Sequence, residues 1–171
     1  MTAPPDLSDF SKEEIRETLN EIRHPFDIAV YHSQNGFNFG AIVRIGHGFL
    51  CRKLWRVDMD KYYKRATMGT HKWENIEKVT LDEFFEKIGD RPIVAFERRP
   101  DIESQDIRFF EYPENPVLFF GSEKSGVPDE VIERAHSIVT IPMFGIHNDF
   151  NQAVAAGIAM YDWISKNAQT G

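Results

Sequence analysis

The sequence predicts a single α/β domain in which helices flank a mainly parallel sheet. Short apolar runs alternate with helix-like segments along the chain, which is the pattern of a parallel sheet whose strands are joined by helices. The chain has 171 residues, the length of one ordinary domain. Its hydrophobic content of 42% and charged content of 27% suffice for a globular core. We expect five or six strands.

The first elements are marked by capping and breaking residues. Residues 1–10 are rich in proline and aspartate and are expected to be loose. Ser11 and Glu14 have the spacing of a capping box, and they predict a helix that runs to about Arg23, before the helix-breaking Pro25. Alternating apolar residues at 26–32 predict the first strand, and a polar turn at 33–36 follows it. From Gly40 the apolar spacing becomes helical as far as Phe49.

The middle of the chain continues the alternation. A strand is predicted at 53–58, followed by a basic and aromatic loop at 61–73. A short apolar stretch at 76–79 predicts another strand, and Thr80 then caps a helix of sequence LDEFFEKI. The run RPIVAFER at 91–98 predicts a further strand, because proline is tolerated at the start of a strand.

The last third of the chain contains two strands that each end in a turn. Residues 107–110 predict an edge strand within a loop-rich stretch. The apolar run 117–120 ends on Gly121 and precedes a short helical segment. The run 138–141 ends on Pro142, and a helix is predicted at about 149–167. The turns that follow these two buried strands are therefore expected at the carboxyl edge of the sheet, where open α/β folds bind their ligands.

Several classes of protein are disfavoured. The longest apolar run is far shorter than the 18 residues of a membrane span, and the N-terminus MTAPPDLSDF lacks the features of a secretory signal. The single cysteine, Cys51, follows an apolar pair and is expected to be a core residue. A lone cysteine fits a reducing compartment, so we expect a cytoplasmic protein. The six histidines never pair at i, i+4 and have no cysteine partners, so no metal site is expected.

The charge of the chain is unevenly distributed. The net charge of −7 argues against a nucleic-acid partner when it is averaged over the whole molecule. The stretch 44–72, however, has eight Lys and Arg residues against only two acidic ones. This basic segment is compatible with a phosphate-binding face and equally with an ordinary solvated surface.

The turn GSEKSG at 121–126 resembles the opening of a phosphate-binding P-loop but lacks its functional residues. Val127 and Pro128 stand where a Lys and a Ser or Thr are required. No G-x-G-x-x-G follows the first strand, and no G-x-S-x-G occurs. Gly121 and Gly126 allow positive φ and close approach of a flat ligand to the main chain. Such turns favour a pocket that holds an uncharged ring by backbone hydrogen bonds and apolar packing.

Three stretches together resemble one family. In order, NFGAIVR at 38–44, LFFGSEKSGVP at 118–128 and IPMFGIHNDFNQAVAAGI at 141–158 are similar to the three successive motifs of the SpoU-type (TrmH-like) RNA 2′-O-ribose methyltransferases of the SPOUT superfamily. The resemblance covers about residues 26–165. It implies a C-terminal trefoil knot, S-adenosylmethionine as cofactor, an obligate homodimer, and methylation of a ribose 2′-hydroxyl in tRNA or rRNA. On the basis of this resemblance we divide the chain into an N-terminal extension with a short helix (1–24) and one methyltransferase domain (25–171).

The resemblance also implies roles for particular residues. The four residues implied in catalysis are Asn38, Arg44, Glu123 and Asn151. Arg44 is expected beside the methyl donor, either as general base or as electrostatic stabiliser of the developing alkoxide; Asn38 is expected to fix the turn that presents it. The implied cofactor walls are Phe96, Gly121, Ile141, Met143 and Phe150. The residues expected to bind RNA are Arg44, Lys64, Arg65, His71 and Lys72, all within the basic segment.

The third motif departs from the family pattern at two positions. The family usually has Ser-Leu-Asn, whereas this chain has Asp149, Phe150 and Asn151. Gln152 stands where a small apolar residue is more common. These departures leave open an alternative function, a catalytically inactive knotted module that binds RNA or a protein. A third reading, an enzyme for a small metabolite, would require the three-motif match to be accidental.

Overall fold

The computed structural model describes residues 9–33, 35–146 and 149–168. Within these residues the chain forms seven strands and five α-helices. The strands are β1 (His24–Tyr31), β2 (Cys51–Val57), β3 (Ile76–Val79), β4 (Ile93–Phe96), β5 (Gln105–Asp106), β6 (Val117–Phe120) and β7 (Ser137–Thr140). The helices are α1 (Lys12–Glu21), α2 (Gly36–Gly48), α3 (Leu81–Ile88), α4 (Asp129–Arg134) and α5 (Gln152–Asn167).

All seven strands belong to one parallel sheet, in the order β3-β2-β1-β6-β4-β7-β5. The central strand β6 comes late in the chain and pairs with β1 on one side and β4 on the other. Because the strands are parallel, the carboxyl ends of β4, β6 and β7 meet at one edge of the sheet. The predicted parallel α/β fold is therefore confirmed.

The sheet is covered on both faces, as a parallel sheet requires. Successive residues of β1 point to opposite sides, so that Ile28 and Ala29 belong to different apolar clusters. One cluster lies beneath α2 and α5 and includes Met160 and Trp163. The other lies beneath α3 and α4 and includes Phe84. Cys51 is fully buried in the first cluster, as expected of a core residue.

Side-chain caps fix where the helices begin. The predicted capping box of α1 is present, with Ser11 and Glu14 exchanging hydrogen bonds, and Thr80 forms a second box with Glu83 at α3. Helix α2 begins at Gly36, four residues earlier than predicted, because Asn35 accepts a hydrogen bond from the backbone N–H of Phe37. Helix α5 begins at Gln152 and not at 149.

The predicted edge strand at 107–110 is wrong. Residues Ile107–Phe109 form a 3₁₀ turn, and the strand at this edge, β5, has only two residues and lies just before the turn. Asp106 causes the change, because its carboxylate accepts from the backbone N–H of Arg108 and caps the turn. The described residues thus form seven strands, against the five or six expected.

Helix α1 is tied to the sheet through the residues that follow it. The Arg23 guanidinium, only 2% exposed, donates to Glu74 Oε2 at 2.7 Å and to the backbone oxygens of Cys51 and Trp73. Glu74 is fully buried and also contacts His47 Nδ1 at 2.8 Å. A buried carboxylate is tolerated when several donors surround it.

Candidate active site

A cavity of about 490 Å³ opens where β4, β6 and β7 end. All five residues predicted as cofactor walls line it: Phe96, Gly121, Ile141, Met143 and Phe150. Its other polar lining includes Glu97, Glu123, Asp149, Asn151 and Gln152. Residues separated in the sequence by more than fifty positions thus meet in one pocket at the carboxyl edge.

The turn after β6 is held in a closed shape by backbone hydrogen bonds. Ser122 and Gly126 exchange N–H···O bonds of 3.0 and 2.9 Å. Gly126 has φ of +69°, as its predicted freedom allows. Gly121 does not use this freedom, because its φ is not positive. It is required for another reason, since a Cβ there would lie 2.1 Å from the carbonyl carbon of Gly126.

Glu97 fastens this turn to the end of β4. Its Oε2 accepts from the backbone N–H of Val127 at 2.6 Å, and its Oε1 accepts from the N–H of Arg98 at 2.8 Å. A Cβ on Gly126 would lie 2.5 Å from Oε2, so the glycine also makes room for the carboxylate. Glu97 was not among the residues predicted for the site. Its position, directly after a buried strand that ends at the ligand-binding edge, is the sequence signal that could have identified it.

The three motifs are joined by side-chain hydrogen bonds. Asn38 donates from Nδ2 to Glu123 Oε1 at 2.5 Å, and Asn151 donates from Nδ2 to Asn38 Oδ1 at 3.0 Å. Ser33 Oγ lies 2.9 Å from the same Glu123 oxygen. Asn151 Oδ1 accepts from the backbone N–H of Ala153 and thereby caps α5. We name Asn38, Glu123 and Asn151 the motif clip.

Gln152 joins the start of α5 to the end of β6. Its side chain is buried, with 6% exposure for the residue, and Nε2 donates to the carbonyl oxygen of Gly121 at 2.5 Å. The other amide atom, Oε1, is buried and has no hydrogen-bond donor among the residues that the structure describes. In the sequence Gln152 stood out only as a departure from the family pattern.

Arg44 does not reach the cavity of its own chain. It lies on α2 eight residues after Gly36, about 12 Å along the helix axis from the end that faces the cavity. Its side chain is exposed, and it is not among the cavity-lining residues. Asn38 lies within the same helix and belongs to the motif clip, so it does not form a separate turn that presents Arg44.

The other four predicted RNA-binding residues, Lys64, Arg65, His71 and Lys72, lie in the loop that follows β2. Lys64 and Arg65 are exposed on a 3₁₀ turn, and Lys72 is exposed on the next one. His71 is only partly exposed, and its Nδ1 lies 2.7 Å from Thr67 Oγ1. Since the Thr67 hydroxyl donates to the carbonyl of Lys64, His71 Nδ1 is the donor in this contact. His71 therefore also orders the loop that presents the two basic residues.

Part of the basic segment is neutralised by acidic partners. Arg52 pairs with the buried Asp27 at 2.8 Å, and Lys53 pairs with Glu77. The positive charge available to a ligand is thus concentrated at the far end of the segment, around Lys64 and Arg65.

The described part of the chain contains neither a cluster of metal ligands nor a membrane-spanning helix. No three His, Cys, Asp or Glu side chains converge there as a metal ion would require. No described helix is long and apolar enough to cross a membrane. Residues 147 and 148 of the third motif lie outside the described ranges.

Comparison with known proteins identifies relatives over most of the chain. A tRNA (guanosine(18)-2′-O)-methyltransferase of Aquifex aeolicus is 31% identical over 157 residues, 86% of this chain and 72% of the relative. A putative tRNA (cytidine(34)-2′-O)-methyltransferase of Listeria innocua is 28% identical over 147 residues, 81% of this chain and 86% of the relative. The named target nucleotides of these two relatives differ.

The fold is shared with solved structures. An AdoMet-bound rRNA methyltransferase from Sinorhizobium meliloti superposes with a TM-score of 0.76 at 24% identity, over 88% of this chain and 61% of that one. This chain thus spans less than two thirds of that protein. The model of the SpoU rRNA methylase family matches residues 25–161, from the first strand through most of the last helix. The chain therefore belongs to the SpoU rRNA methylase family.

Proposed function

We propose that this chain transfers a methyl group from S-adenosylmethionine to a ribose 2′-hydroxyl of a tRNA or rRNA, in the cytoplasm. The observation that carries the proposal is the convergence of three distant motifs on one cavity, fastened by the motif clip. Family membership and the names of the relatives support the same activity. The two relatives are named for different tRNA nucleotides and the structural neighbour for rRNA, so the target is left open between tRNA and rRNA.

The residues of the cavity fit S-adenosylmethionine. The volume of about 490 Å³ lies within the usual range for small-molecule sites, roughly 300–1,000 Å³. Phe96 and Phe120 stack at 4.9 Å and provide an apolar wall for a flat base. The carboxylates of Glu97 and Asp149 supply negative charge for a ligand that carries an ammonium and a sulfonium group.

When bound, S-adenosylmethionine supplies an electrophilic methyl group, and the protein must position the acceptor and stabilise the charge that develops on its oxygen. The motif clip holds the Glu123 carboxylate and the Asn151 amide at the cavity wall, where they orient the acceptor ribose. We assign Arg44 the stabilisation of the developing alkoxide and a grip on the neighbouring phosphate. A guanidinium seldom gives up a proton, so electrostatic stabilisation suits Arg44 better than general base catalysis.

The proposal includes a trefoil knot in the C-terminal part of the chain. One contact supports it: Gln152, the first residue of α5, donates to the carbonyl oxygen of Gly121 in the loop that follows β6. The segment after β7 therefore packs tightly against the loop that follows β6, as a threaded chain requires.

The proposal also includes a homodimer formed through α2 and α5. Phe37 and Arg44 are seven residues apart and share one face of α2, and Val154 and Tyr161 have the same spacing on α5. The three apolar side chains of this set are 57%, 49% and 64% exposed, and the two helices are neighbours. Exposed apolar residues grouped in this way favour a protein interface. Since Arg44 lies on this face and outside its own cavity, we propose that it serves the cavity of the second subunit.

The direct test is methyl transfer to RNA. We expect the purified protein to label total RNA that lacks this modification when it is supplied with methyl-labelled S-adenosylmethionine. Digestion of the product should then locate the label on one nucleotide, as a 2′-O-methyl group. A protein that binds the cofactor and RNA but leaves the RNA unlabelled would support the inactive binding module instead.

A further inference from the structure

We infer that Gln152 is a cofactor-binding residue of this chain, and that its Oε1 accepts a hydrogen bond from a neutral donor in the nucleoside half of S-adenosylmethionine. The donor is the adenine amino group or a ribose hydroxyl. The inference rests on the proposed function, because it takes the cavity to be the cofactor site.

The orientation of the Gln152 amide is set by its partner. A backbone carbonyl can only accept, so the amide atom 2.5 Å from the Gly121 oxygen must be the donor Nε2. This contact leaves Oε1 on the other side of the amide. Rotating the amide by 180° would bring two oxygens together, so Oε1 cannot satisfy itself by flipping.

The free acceptor lies in a place where it costs stability. Oε1 is buried, and no donor in the described ranges lies within hydrogen-bond distance of it. A buried polar atom without a partner destabilises the folded protein, so such an atom calls for an explanation by a ligand or another function. Gln152 lines the cavity, and a donor of a bound ligand would satisfy the atom.

Because Gln152 Oε1 is an uncharged acceptor, it favours one half of the cofactor over the other as its hydrogen-bond donor. Oε1 belongs to a neutral amide, which suits a neutral N–H or O–H donor. The cationic ammonium of the methionine half finds better partners in the carboxylates that line the same cavity, Glu97 and Asp149. We therefore expect Gln152 Oε1 to accept its hydrogen bond from the nucleoside half of the cofactor.

The experiment measures the affinity of S-adenosylhomocysteine and four derivatives for the full-length protein and for Gln152→Met, by calorimetry. The derivatives are the 6-unsubstituted purine, 2′-deoxy, 3′-deoxy and desamino compounds, each of which lacks one donor group. Methionine keeps the length of the side chain and removes both amide atoms. Gln105→Met, on the partly exposed two-residue strand β5, is the matched control, and thermal unfolding verifies that each variant is folded.

We expect the wild-type protein to lose about tenfold in affinity for one of the three nucleoside derivatives, the value of about one net hydrogen bond. Gln152→Met should bind S-adenosylhomocysteine about tenfold more weakly and lose nothing further with that derivative. If Gln152 only supports the Gly121 carbonyl, the variant weakens all five ligands by one factor, which overturns the inference. The inference is also overturned if the desamino compound is the only derivative whose loss of affinity disappears in Gln152→Met, because that compound lacks the ammonium group of the methionine half. Failure of the wild-type protein to bind S-adenosylhomocysteine would refute the proposed function itself.

Discussion

Asn151 and Asn38 are 113 positions apart in the chain, yet the amide of Asn151 donates to the side-chain oxygen of Asn38 at 3.0 Å. Asn38 passes the connection on to Glu123, so the three motifs share one continuous set of hydrogen bonds. Asn38 itself is only 7% exposed. Its two amide atoms therefore fix the positions of a carboxylate and an amide that line the cavity, and substitutions in the motif clip should act together.

Asn38→Asp should disrupt the clip. The change removes the donor to Glu123 and puts two carboxylates in contact, which disfavours the charge of both. We expect a fall in thermal stability of several degrees and a loss of methyl transfer of at least about 100-fold. Unfolding scans and initial rates measure the two effects. Gln105→Glu, which adds the same charge at an exposed position, should change neither; normal activity of Asn38→Asp would remove the clip from the mechanism.

Arg44→Ala should slow turnover strongly and leave cofactor binding intact. The side chain is exposed and lies outside its own cavity, so its removal should change neither folding nor the affinity for S-adenosylhomocysteine. The rate should fall on the order of 100- to 1000-fold, the usual effect of losing a donor to a developing oxyanion. Arg16→Ala, in the exposed helix α1, is the matched control. Near-normal activity of Arg44→Ala would show that the assignment is wrong.

Subunit mixing shows which cavity Arg44 serves. A heterodimer of Arg44→Ala and Glu123→Ala subunits has one intact site if Arg44 acts on the partner, and none if it acts on its own chain. Equal mixing with free exchange should therefore restore about a quarter of the wild-type activity in a twofold dimer. Each variant alone, taken through the same unfolding and refolding, is the control, and no recovery in the mixture would place Arg44 in its own subunit's reaction.

Reversing the charges of Lys64 and Arg65 should weaken RNA binding. Both residues are exposed on the turn that follows β2, and phosphate contacts from such residues release counterions. We expect the double variant with two glutamates to bind RNA more weakly and to show a smaller dependence of affinity on salt. Filter binding at several salt concentrations measures both. The same reversal at Lys12 and Arg134, exposed on α1 and α4, should have a smaller effect, and equal losses would indicate a nonspecific charge effect.

Cys51 should make the protein less stable at alkaline pH. Burial raises the pKa of its thiol well above the ordinary value, because the thiolate would lose its hydration in the core. The unfolded chain releases this proton near pH 8.5 and the folded chain does not, so the free energy of unfolding falls as pH rises above that value. Urea unfolding between pH 7 and 10 should show a decrease that is smaller in Cys51→Ala. Equal pH dependence of the two proteins would contradict the prediction.

Helix starts and strand ends were predicted correctly where a local sequence pattern depends directly on backbone conformation. The capping residues Ser11 and Thr80 marked helix starts correctly, and the glycine and proline turns marked the strands that end at the cavity. Local patterns were less reliable where a single side chain redirects the chain. Asp106 converts the expected edge strand into a 3₁₀ turn, and Asn35 starts α2 a full turn early.

The contacts between motifs could not be obtained from local patterns. Neither the bond from Glu97 to Val127 nor the bond from Gln152 to Gly121 follows from spacing, because each joins residues about thirty positions apart. Motif order placed Arg44 in the site, but a motif does not say which face of a helix its residue occupies. Only the packing of α2 on the sheet shows that Arg44 points away from its own cavity.

The position of β6 has a consequence for how the protein is made. This strand joins the two halves of the sheet, β3-β2-β1 and β4-β7-β5, by pairing with β1 and β4. It begins at Val117, so about two thirds of the chain is translated before it. Until residues 117–120 leave the ribosome, β1 and β4 each have an unpaired edge, and such edges invite association between nascent chains. A fragment that stops before Val117 should therefore aggregate and fail to yield a smaller soluble domain, and the intact chain should fold slowly because its central pairings close long loops.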